Sequence, residues 1–173
     1  MSNIILIGFM GCGKSSVGRR LSESCNLQFL DTDQLIEKDA GKTISEIFAQ
    51  EGEKAFRNME TACLEKLLQE NTDGVVLSVG GGLPIREENR KLLKKLGNVI
   101  FLEASAETVY NRVKYDTTRP LLQGNNPRGR IMDLMRVRKQ FYMDGANYIV
   151  NVDGKNFEKI IDEIMKLTGN AEE

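Results

Sequence analysis

Histidine is absent from this chain of 173 residues, and cysteine is rare. Without histidine, a general acid or base must be a carboxylate, lysine, cysteine or tyrosine, or the chemistry must need little proton transfer. The three cysteines, Cys12, Cys25 and Cys63, lack the spacing of a metal site or a disulfide framework. Their small number fits a reducing cytoplasm.

Long apolar runs and an excess of one charge are also missing. No apolar stretch approaches the roughly 18 residues that span a bilayer. The apolar run within residues 1–11 has no basic segment before it and no cleavage site, so we interpret it as a strand. The 24 basic and 25 acidic residues give a net charge of -1, which offers no electrostatic reason to expect a nucleic-acid or membrane partner. We expect one cytoplasmic domain, residues 1–173, that works as a monomer.

Short apolar runs alternate with helical patterns along the chain. Strands are predicted at residues 3–7, 27–30, 75–79, 98–102 and 148–152. Helices are predicted at 14–24, 34–40, 43–51, 53–70, 86–96, 105–115, 129–143 and 156–167. Apolar strands separated by helices indicate a parallel sheet that is covered on both faces.

Two segments interrupt this alternation. Residues 34–71 insert extra helices between the second and third strands, and Thr43 with Glu46 forms a capping box for one of them. Residues 116–129 are rich in Gly, Pro, Asn and Arg, which predicts a mobile loop. Long loops inside compact domains are often active-site lids.

Residues 8–15, GFMGCGKS, match the pattern G-x-x-x-x-G-K-[ST] between a predicted strand and a predicted helix. We call these residues the P-loop. Its N–H groups form a cradle for phosphates, Lys14 can reach the β- and γ-phosphates of ATP, and the Ser15 hydroxyl can bind Mg²⁺. A chance match in a chain of this length has odds of about one in a hundred. Cys12 lies inside the loop, either as a small space-filling residue or, as a minority hypothesis, as a thiol whose oxidation blocks ATP binding.

Acidic and glycine residues follow the next two predicted strands. Asp31 and Asp33 come after the second strand, where one carboxylate can hold Mg²⁺ through water and the other can accept a hydrogen bond from a substrate hydroxyl. The alternative is that Asp33 caps the following helix. Gly80, Gly81 and Gly82 follow the third strand and either expose N–H groups to substrate oxygens or make a tight turn. Since this strand lacks an acidic residue at its end, metal contacts beyond Ser15 must come from Asp31 or from Ser78 through water.

Arginines supply candidate contacts for anions. Arg57 and Glu60 share a helical face, either as a surface ion pair or as an arginine that Glu60 orients toward a substrate carboxylate. Arg119, in the predicted lid, could close onto the transferring phosphoryl group. Arg138 could supply a second carboxylate contact, whereas Arg136, two residues earlier, would face elsewhere.

Together these motifs resemble the shikimate kinases in order and spacing over nearly the whole chain. The matching segments are the P-loop, DTD at 31–33, GEKAFRNME at 52–60, GGG at 80–82, RPLL at 119–122 and RKQFY at 138–142. The resemblance implies a P-loop NTPase fold of the nucleoside-monophosphate-kinase type, with three α/β/α layers and a five-stranded parallel sheet. It also implies a substrate-binding insertion at 34–61, a lid at 112–129, and transfer of the ATP γ-phosphate to the 3-hydroxyl of shikimate in aromatic amino acid biosynthesis.

The same resemblance implies roles for individual residues. Asp33 would contact the reacting hydroxyl as the base, Lys14 and Arg119 would stabilise the phosphoryl group, and Ser15 would bind Mg²⁺ with Asp31 and Ser78 in its outer shell. The polar atoms of shikimate would meet Arg57, Arg138, Gly80, Gly81 and Gly82. Its apolar side would meet Ile44, Phe48, Phe56, Pro120 and Leu121. The nucleotide would contact Gly11, Cys12, Gly13, Lys14, Ser15, Ser16, Arg112, Arg119 and Lys155.

Two other functions fit parts of the sequence. A gluconate or nucleotide kinase of the same branch is the nearest alternative, but two arginines for a carboxylate and a ring-sized apolar wall favour a cyclic hydroxy acid. A nucleotide-binding regulatory protein is the alternative from another class. Retention of every implied catalytic and carboxylate-binding residue argues against it.

Overall fold

The computed structural model describes residues 2–116 and 123–169. In this part of the chain five strands form one parallel sheet in the order β2-β3-β1-β4-β5. The strands are β1 (Ile4–Ile7), β2 (Gln28–Asp31), β3 (Val75–Ser78), β4 (Asn98–Glu103) and β5 (Tyr148–Asn151). The helices are α1 (Lys14–Cys25), α2 (Thr32–Ala40), α3 (Ile44–Glu51), α4 (Glu53–Gln69), α5 (Glu87–Leu96), α6 (Ala106–Val113), α7 (Pro127–Gly145) and α8 (Phe157–Thr168), with a short 3₁₀ turn at Leu83–Ile85.

The predicted five-stranded parallel sheet is confirmed, and its centre explains the composition of β1. All four residues of β1 are fully buried, because β3 and β4 flank the strand and helices cover both faces. Burial of each isoleucine or leucine side chain contributes about 1.5–3 kcal/mol. Since β1 lies between β3 and β4, its carboxyl end opens at the point where strand order reverses, which is where ligands bind in open α/β sheets.

Two helices begin earlier than the sequence pattern predicts. Helix α2 begins at Thr32, because Asp31 accepts hydrogen bonds from the N–H groups of Asp33 (2.9 Å) and Gln34 (3.2 Å). Asp31, not Asp33, is therefore the residue that caps this helix. Helix α7 begins at Pro127, because the left-handed Asn126 caps it and a proline is tolerated in the first turn. The predicted capping box of Thr43 and Glu46 is present at α3.

A buried asparagine joins three segments at the amino ends of the strands, opposite the carboxyl ends where ligands bind. The Asn3 side-chain amide donates to the carbonyl oxygens of Thr72 (2.8 Å) and Leu96 (2.9 Å), and its oxygen accepts from the N–H of Val75 (3.1 Å). Asn3 is 5% exposed, so water cannot replace these partners. The amino end of β1 is therefore tied to the segments that precede β3 and β4. None of the described helices has the length and apolar character needed to cross a membrane.

We predict that Asn3→Ala lowers the free energy of unfolding by about 2–4 kcal/mol, because three hydrogen bonds are lost, two of them buried, and the Val75 N–H keeps no partner. Urea denaturation measures the change. The exposed neighbour supplies the control, Ser2→Ala, which should shift stability by less than about 0.5 kcal/mol. Equal stabilities of the two variants would contradict the prediction.

Candidate active site

The P-loop forms a hollow at the carboxyl end of β1. Gly11 (φ 73°) and Gly13 (φ 96°) hold backbone angles that favour glycine, and Gly13 starts α1 without a side-chain cap. The first turn of α1 has no acidic residue, so the N–H groups and the positive end of the helix dipole remain available to an anion. The Lys14 ammonium lies over the loop and donates to the carbonyl oxygens of Gly8 (2.7 Å) and Phe9 (3.0 Å).

A cavity of about 300 Å³ extends from this hollow across the carboxyl ends of β2 and β3. The parallel register pairs Asp31 with Ser78, which places their side chains on neighbouring strand ends. Thr32, which the sequence reasoning missed, accepts a hydrogen bond from the Gly80 N–H (3.1 Å) and joins the two edges. The predicted residues that line this cavity are Gly11, Gly13, Lys14, Ser15, Ser16, Asp31, Asp33, Ser78, Gly80 and Gly81.

Asp33 lies in the first turn of α2, with its carboxylate directed at Gly80. A Cβ on Gly80 would lie 3.1 Å from Asp33 Oδ1, and this buried oxygen has no hydrogen-bond partner. Burial raises the pKa of Asp33, repulsion from Asp31 adds to the rise, and the charges of Lys14 and Arg57 oppose it. The carboxylate is thus an unoccupied acceptor close to the P-loop lysine.

Arg57 and Glu60 form an ion pair on α4 that is buried at its acidic end. Arg57 Nη1 lies 2.6 Å from Glu60 Oε1, and Glu60 is fully buried, so the pair is not the exposed contact of the alternative interpretation. The Arg57 guanidinium lies against Gly82, where a Cβ would collide with it. Glu60 Oε2 has no partner either, and a Cβ on Gly80 would lie 3.2 Å from it. The acid at 33 and the arginine at 57 therefore meet at the same run of glycines.

Burial raises the pKa of Glu60 to about 7, although the charge of Arg57 and its hydrogen bond act in the opposite direction. A buried carboxylate with one bonded oxygen and one free oxygen is costly in its charged form. The hydrogen bond to Glu60 can nevertheless hold the planar Arg57 guanidinium in one position. An anion that then binds to the guanidinium restricts little further side-chain motion, so little conformational entropy is lost.

Arg138 reaches the same glycines from α7, and Arg136 does not. A Cβ on Gly81 would lie 3.6 Å from Arg138 Nη1, and the guanidinium lies 5.7 Å from the centre of the Phe9 ring. Its Nε is buried without a partner. In contrast, the Arg136 side chain is 80% exposed and pairs with Asp133 at 3.2 Å. The geometry favours Arg138 as the second reader of a carboxylate.

Tyr142, one turn after Arg138 on α7, contacts the backbone of the glycine run at residues 80–82. Burial raises the pKa of Tyr142 to about 12, so its hydroxyl stays protonated and donates to the Gly81 carbonyl oxygen at 2.7 Å. The ring is 2% exposed and packs against Phe101.

Phe9 and Tyr142 were not singled out from the sequence as site residues. The position of Phe9 directly after the first P-loop glycine is the one signal that could have drawn attention to it.

The remaining predicted nucleotide contacts surround the P-loop. Arg112 Nη1 donates to the Gly11 carbonyl oxygen (3.3 Å), which brings α6 over the loop. Lys155 is engaged by Glu163 on α8 at 2.7 Å. Cys12 is 1% exposed, with its Sγ 3.8 Å from Lys14 Nζ, and this burial fits the space-filling interpretation.

The predicted apolar wall is described in part. Phe48 and Phe56 pack with ring centres 5.0 Å apart, and Ile44 is half-buried near the start of α3. Arg119, Pro120 and Leu121 lie outside the described residues. Phe48 is 39% exposed, so this aromatic pair presents an apolar surface, and the Arg57 guanidinium lies 5.4 Å from the centre of the Phe56 ring.

The donor set suits a magnesium ion that keeps most of its water. Within the described residues no group of three acidic, histidine or cysteine side chains could form a closed metal cage. Ser15, Asp31 and Ser78 offer only oxygen atoms at one edge of the cavity. Mg²⁺ is commonly held in this way, by one or two protein oxygens together with substrate phosphates and water.

Known proteins resemble this chain over nearly its whole length. A family model described as shikimate kinase matches residues 10–168. The curated shikimate kinase of Thioalkalivibrio sulfidiphilus is 46% identical over 165 residues, which cover 95% of this chain and 86% of the relative. That of Deinococcus radiodurans is also 46% identical, with 94% and 81% covered.

Solved structures resemble the whole fold. Shikimate kinase from Acinetobacter baumannii in complex with shikimate has a TM-score of 0.88 and 38% identity, covering 96% of this chain and 92% of that one. Shikimate kinase from Aquifex aeolicus has a TM-score of 0.82 and 37% identity, with 97% of each chain covered.

Glu60→Gln should change how stability depends on pH. Because the folded-state pKa of Glu60 lies near 7, above its ordinary value of 4.5, its contribution is complete below pH 4.5 and is lost as pH rises to about 7. The stability of the wild type relative to the variant should therefore fall by about 3 kcal/mol across this window. Chemical denaturation at several pH values measures the difference. The exposed Glu65 of the same helix supplies the control, Glu65→Gln. The prediction would be contradicted if the stability difference between wild type and Glu60→Gln changed with pH as little as the difference between wild type and Glu65→Gln.

Proposed function

Because the chain belongs to the shikimate kinase family, and is therefore an enzyme that phosphorylates shikimate with ATP, we propose that Asp33, Arg57 and Lys14 are the centre of its active site. The observation that carries this proposal is the convergence of the Asp33 carboxylate and the Arg57–Glu60 pair on residues 80–82, beside the P-loop. Family membership sets aside the gluconate kinase and the nucleotide-binding regulatory protein.

The carboxylate of shikimate is proposed to lie between Arg57 and Arg138. Both guanidinium groups face the glycine run, from α4 and from α7, and the buried Nε of Arg138 lacks a partner. An arginine can bind a carboxylate through two parallel hydrogen bonds, which fixes the orientation of the ring as well as its position. The similar enzyme from Acinetobacter baumannii was solved in complex with shikimate, which supports the same ligand here. Ile44, Phe48 and Phe56 would face the apolar side of the ring, together with Pro120 and Leu121.

Asp33 is proposed to accept a hydrogen bond from the 3-hydroxyl and to direct that oxygen at the γ-phosphate. In a loose phosphoryl-transfer transition state the nucleophile needs orientation more than early loss of its proton. The unpartnered Oδ1 and the raised pKa of Asp33 suit an acceptor that can take the proton late in the reaction. This division of work explains how a chain without histidine can catalyse the transfer.

Cations are proposed to neutralise the charge that moves from ATP to the product. The Lys14 ammonium would exchange the carbonyl oxygens of Gly8 and Phe9 for phosphate oxygens, and Arg119 would approach from the lid. Mg²⁺, proposed at Ser15 with Asp31 and Ser78 as water-mediated ligands, would neutralise the β- and γ-phosphates. Arg112 and Lys155 are proposed to flank the adenine on opposite sides.

The wider organisation follows the same proposal. Residues 34–61 would form the substrate-binding insertion and residues 112–129 the lid, whose closure would exclude water and limit ATP hydrolysis. We further propose a cytoplasmic monomer whose ligands are small molecules, with no role for nucleic acid or membrane.

An ADP-release assay with shikimate, gluconate and AMP tests the substrate and the role of Asp33 together. Shikimate should give a rate at least about 100-fold above the other two acceptors. Asp33→Asn should lower kcat about 100-fold or more, because the amide cannot accept the proton, while ATP affinity changes less than about threefold. A shikimate-dependent rate that Asp33→Asn leaves unchanged would remove Asp33 from the mechanism without changing the substrate assignment.

The two arginines of α7 provide a matched pair of variants for the carboxylate site. Arg138→Gln should raise the KM for shikimate by about 10- to 100-fold, because a charge-assisted contact is lost. Arg136→Gln removes the same charge from the exposed side of the helix and should leave KM within about twofold. Steady-state kinetics at saturating ATP measures both values, and the reverse ranking would exchange the roles of the two residues.

A further inference from the structure

A second cavity, of about 390 Å³, lies between α7 and the carboxyl ends of β4 and β5. Its volume falls in the range of small-molecule sites. It shares no lining residue with the P-loop cavity, and neither Arg112 nor Lys155, the proposed adenine contacts, lines it. The proposed reaction therefore gives this cavity no role.

The floor of the second cavity is aromatic and its wall is adaptable. Phe9, Phe101 and Tyr142 line the floor, and the last two rings pack with their centres 5.1 Å apart. Met132 and Met135 approach from α7, and Met132 is 58% exposed despite its apolar side chain. Flexible thioethers pack favourably against the edges of aromatic rings, so this interior suits a flat apolar body.

The rim carries charges of both signs. Glu103, at the end of β4, lies 3.4 Å from the ammonium of Lys139 on α7. The two side chains are 30% and 58% exposed, and such pairs contribute little to stability, so a ligand could replace each partner at low cost. Asp153 and Arg136 add a second acidic and a second basic group to the lining. A purely anionic ligand would meet Glu103 and a purely cationic one would meet Lys139, whereas a zwitterion satisfies both.

We propose that this cavity binds a zwitterionic molecule with a flat apolar body, the chemical class of an aromatic α-amino acid, and that its occupancy changes the affinity for shikimate. The ammonium of the ligand would bind Glu103, its carboxylate would bind Lys139, and its ring would lie on the aromatic floor. This role goes beyond phosphoryl transfer, because it assigns a regulatory ligand to a separate site.

Two floor residues connect the cavity to the active site. Tyr142 donates its hydroxyl proton to the Gly81 carbonyl oxygen, and the Phe9 ring lies under the guanidinium of Arg138. Both contacts position groups that face the proposed shikimate carboxylate. A ligand that shifts either ring would alter shikimate affinity, and by linkage shikimate would alter the affinity of that ligand by the same factor.

Fluorescence offers a direct binding test, because the chain contains no tryptophan. L-Tryptophan is the probe, and tryptamine and indole-3-propionate, each lacking one of its two charges, are the comparison ligands. Each lost charge should weaken binding at least about tenfold. Equal binding of the three indoles, no binding at millimolar concentrations, or displacement of tryptophan by excess ADP would overturn the proposal.

Variants at the rim locate the site independently of activity. Glu103→Gln and Lys139→Gln should each weaken tryptophan binding about tenfold, without changing kcat in its absence. Glu158→Gln and Lys159→Gln, which remove exposed charges from α8, are the matched controls and should bind tryptophan as the wild type does. Equal effects of rim and control variants would overturn the assignment.

Two further measurements complete the test. With ¹³C-methyl methionine, the signals of Met132 and Met135 should shift as tryptophan is added, and unchanged signals would place the ligand elsewhere. The shikimate Kd measured with and without saturating tryptophan tests the coupling. A changed Kd supports it, and an identical Kd would overturn the regulatory part of the proposal.

Discussion

The proposed active site depends on the ion pair between Arg57 and the fully buried Glu60. Removing the charged form of Glu60 from water is costly, and the same burial raises the pKa of its carboxyl. In return the guanidinium is held against Gly82, on the same glycine run that Asp33 faces. A larger residue at Gly82 would displace the guanidinium, because its Cβ would occupy the same space. The small size of Gly82 and the position of the Arg57–Glu60 ion pair therefore depend on each other.

The parallel sheet explains why groups so distant in sequence meet. Carboxyl ends of parallel strands open on one edge, and the order β2-β3-β1-β4-β5 places the ends of β2 and β3 beside the P-loop. Asp31 and Ser78 are neighbours through strand register, and Thr32 joins the same two strand ends through Gly80. At the amino ends of the strands, the Asn3 side chain joins the neighbouring segments through its hydrogen bonds. The cluster of buried side chains between the two ends of the sheet is hydrophobic.

Helix α7 belongs to two environments at once. Arg138 and Tyr142 face the glycine run, whereas Met132, Met135 and Lys139 face the second cavity. A helix moves as a rigid body more readily than it deforms, so a ligand in the second cavity that displaced α7 would also displace Arg138 and Tyr142. Tyr142 contacts both environments, since its ring lines the second cavity while its hydroxyl donates a hydrogen bond to the Gly81 carbonyl oxygen.

The sequence by itself determined the layered architecture, because apolar strands and amphipathic helices follow from local periodicity and the P-loop is a contiguous pattern. It also indicated Asp33, Arg57 and Arg138, since each stands in a recognisable motif. The starts of α2 and α7 were missed, because Asp31 and Asn126 cap these helices through side-chain hydrogen bonds that composition does not reveal. The structure agrees with the sequence in leaving Arg136 exposed, and it alone shows that Glu60 is buried and that Phe9 and Tyr142 lie together beneath the site. These outcomes depend on which face of a helix meets the sheet and on how much water is excluded, and both are set by packing between segments that are far apart in the chain.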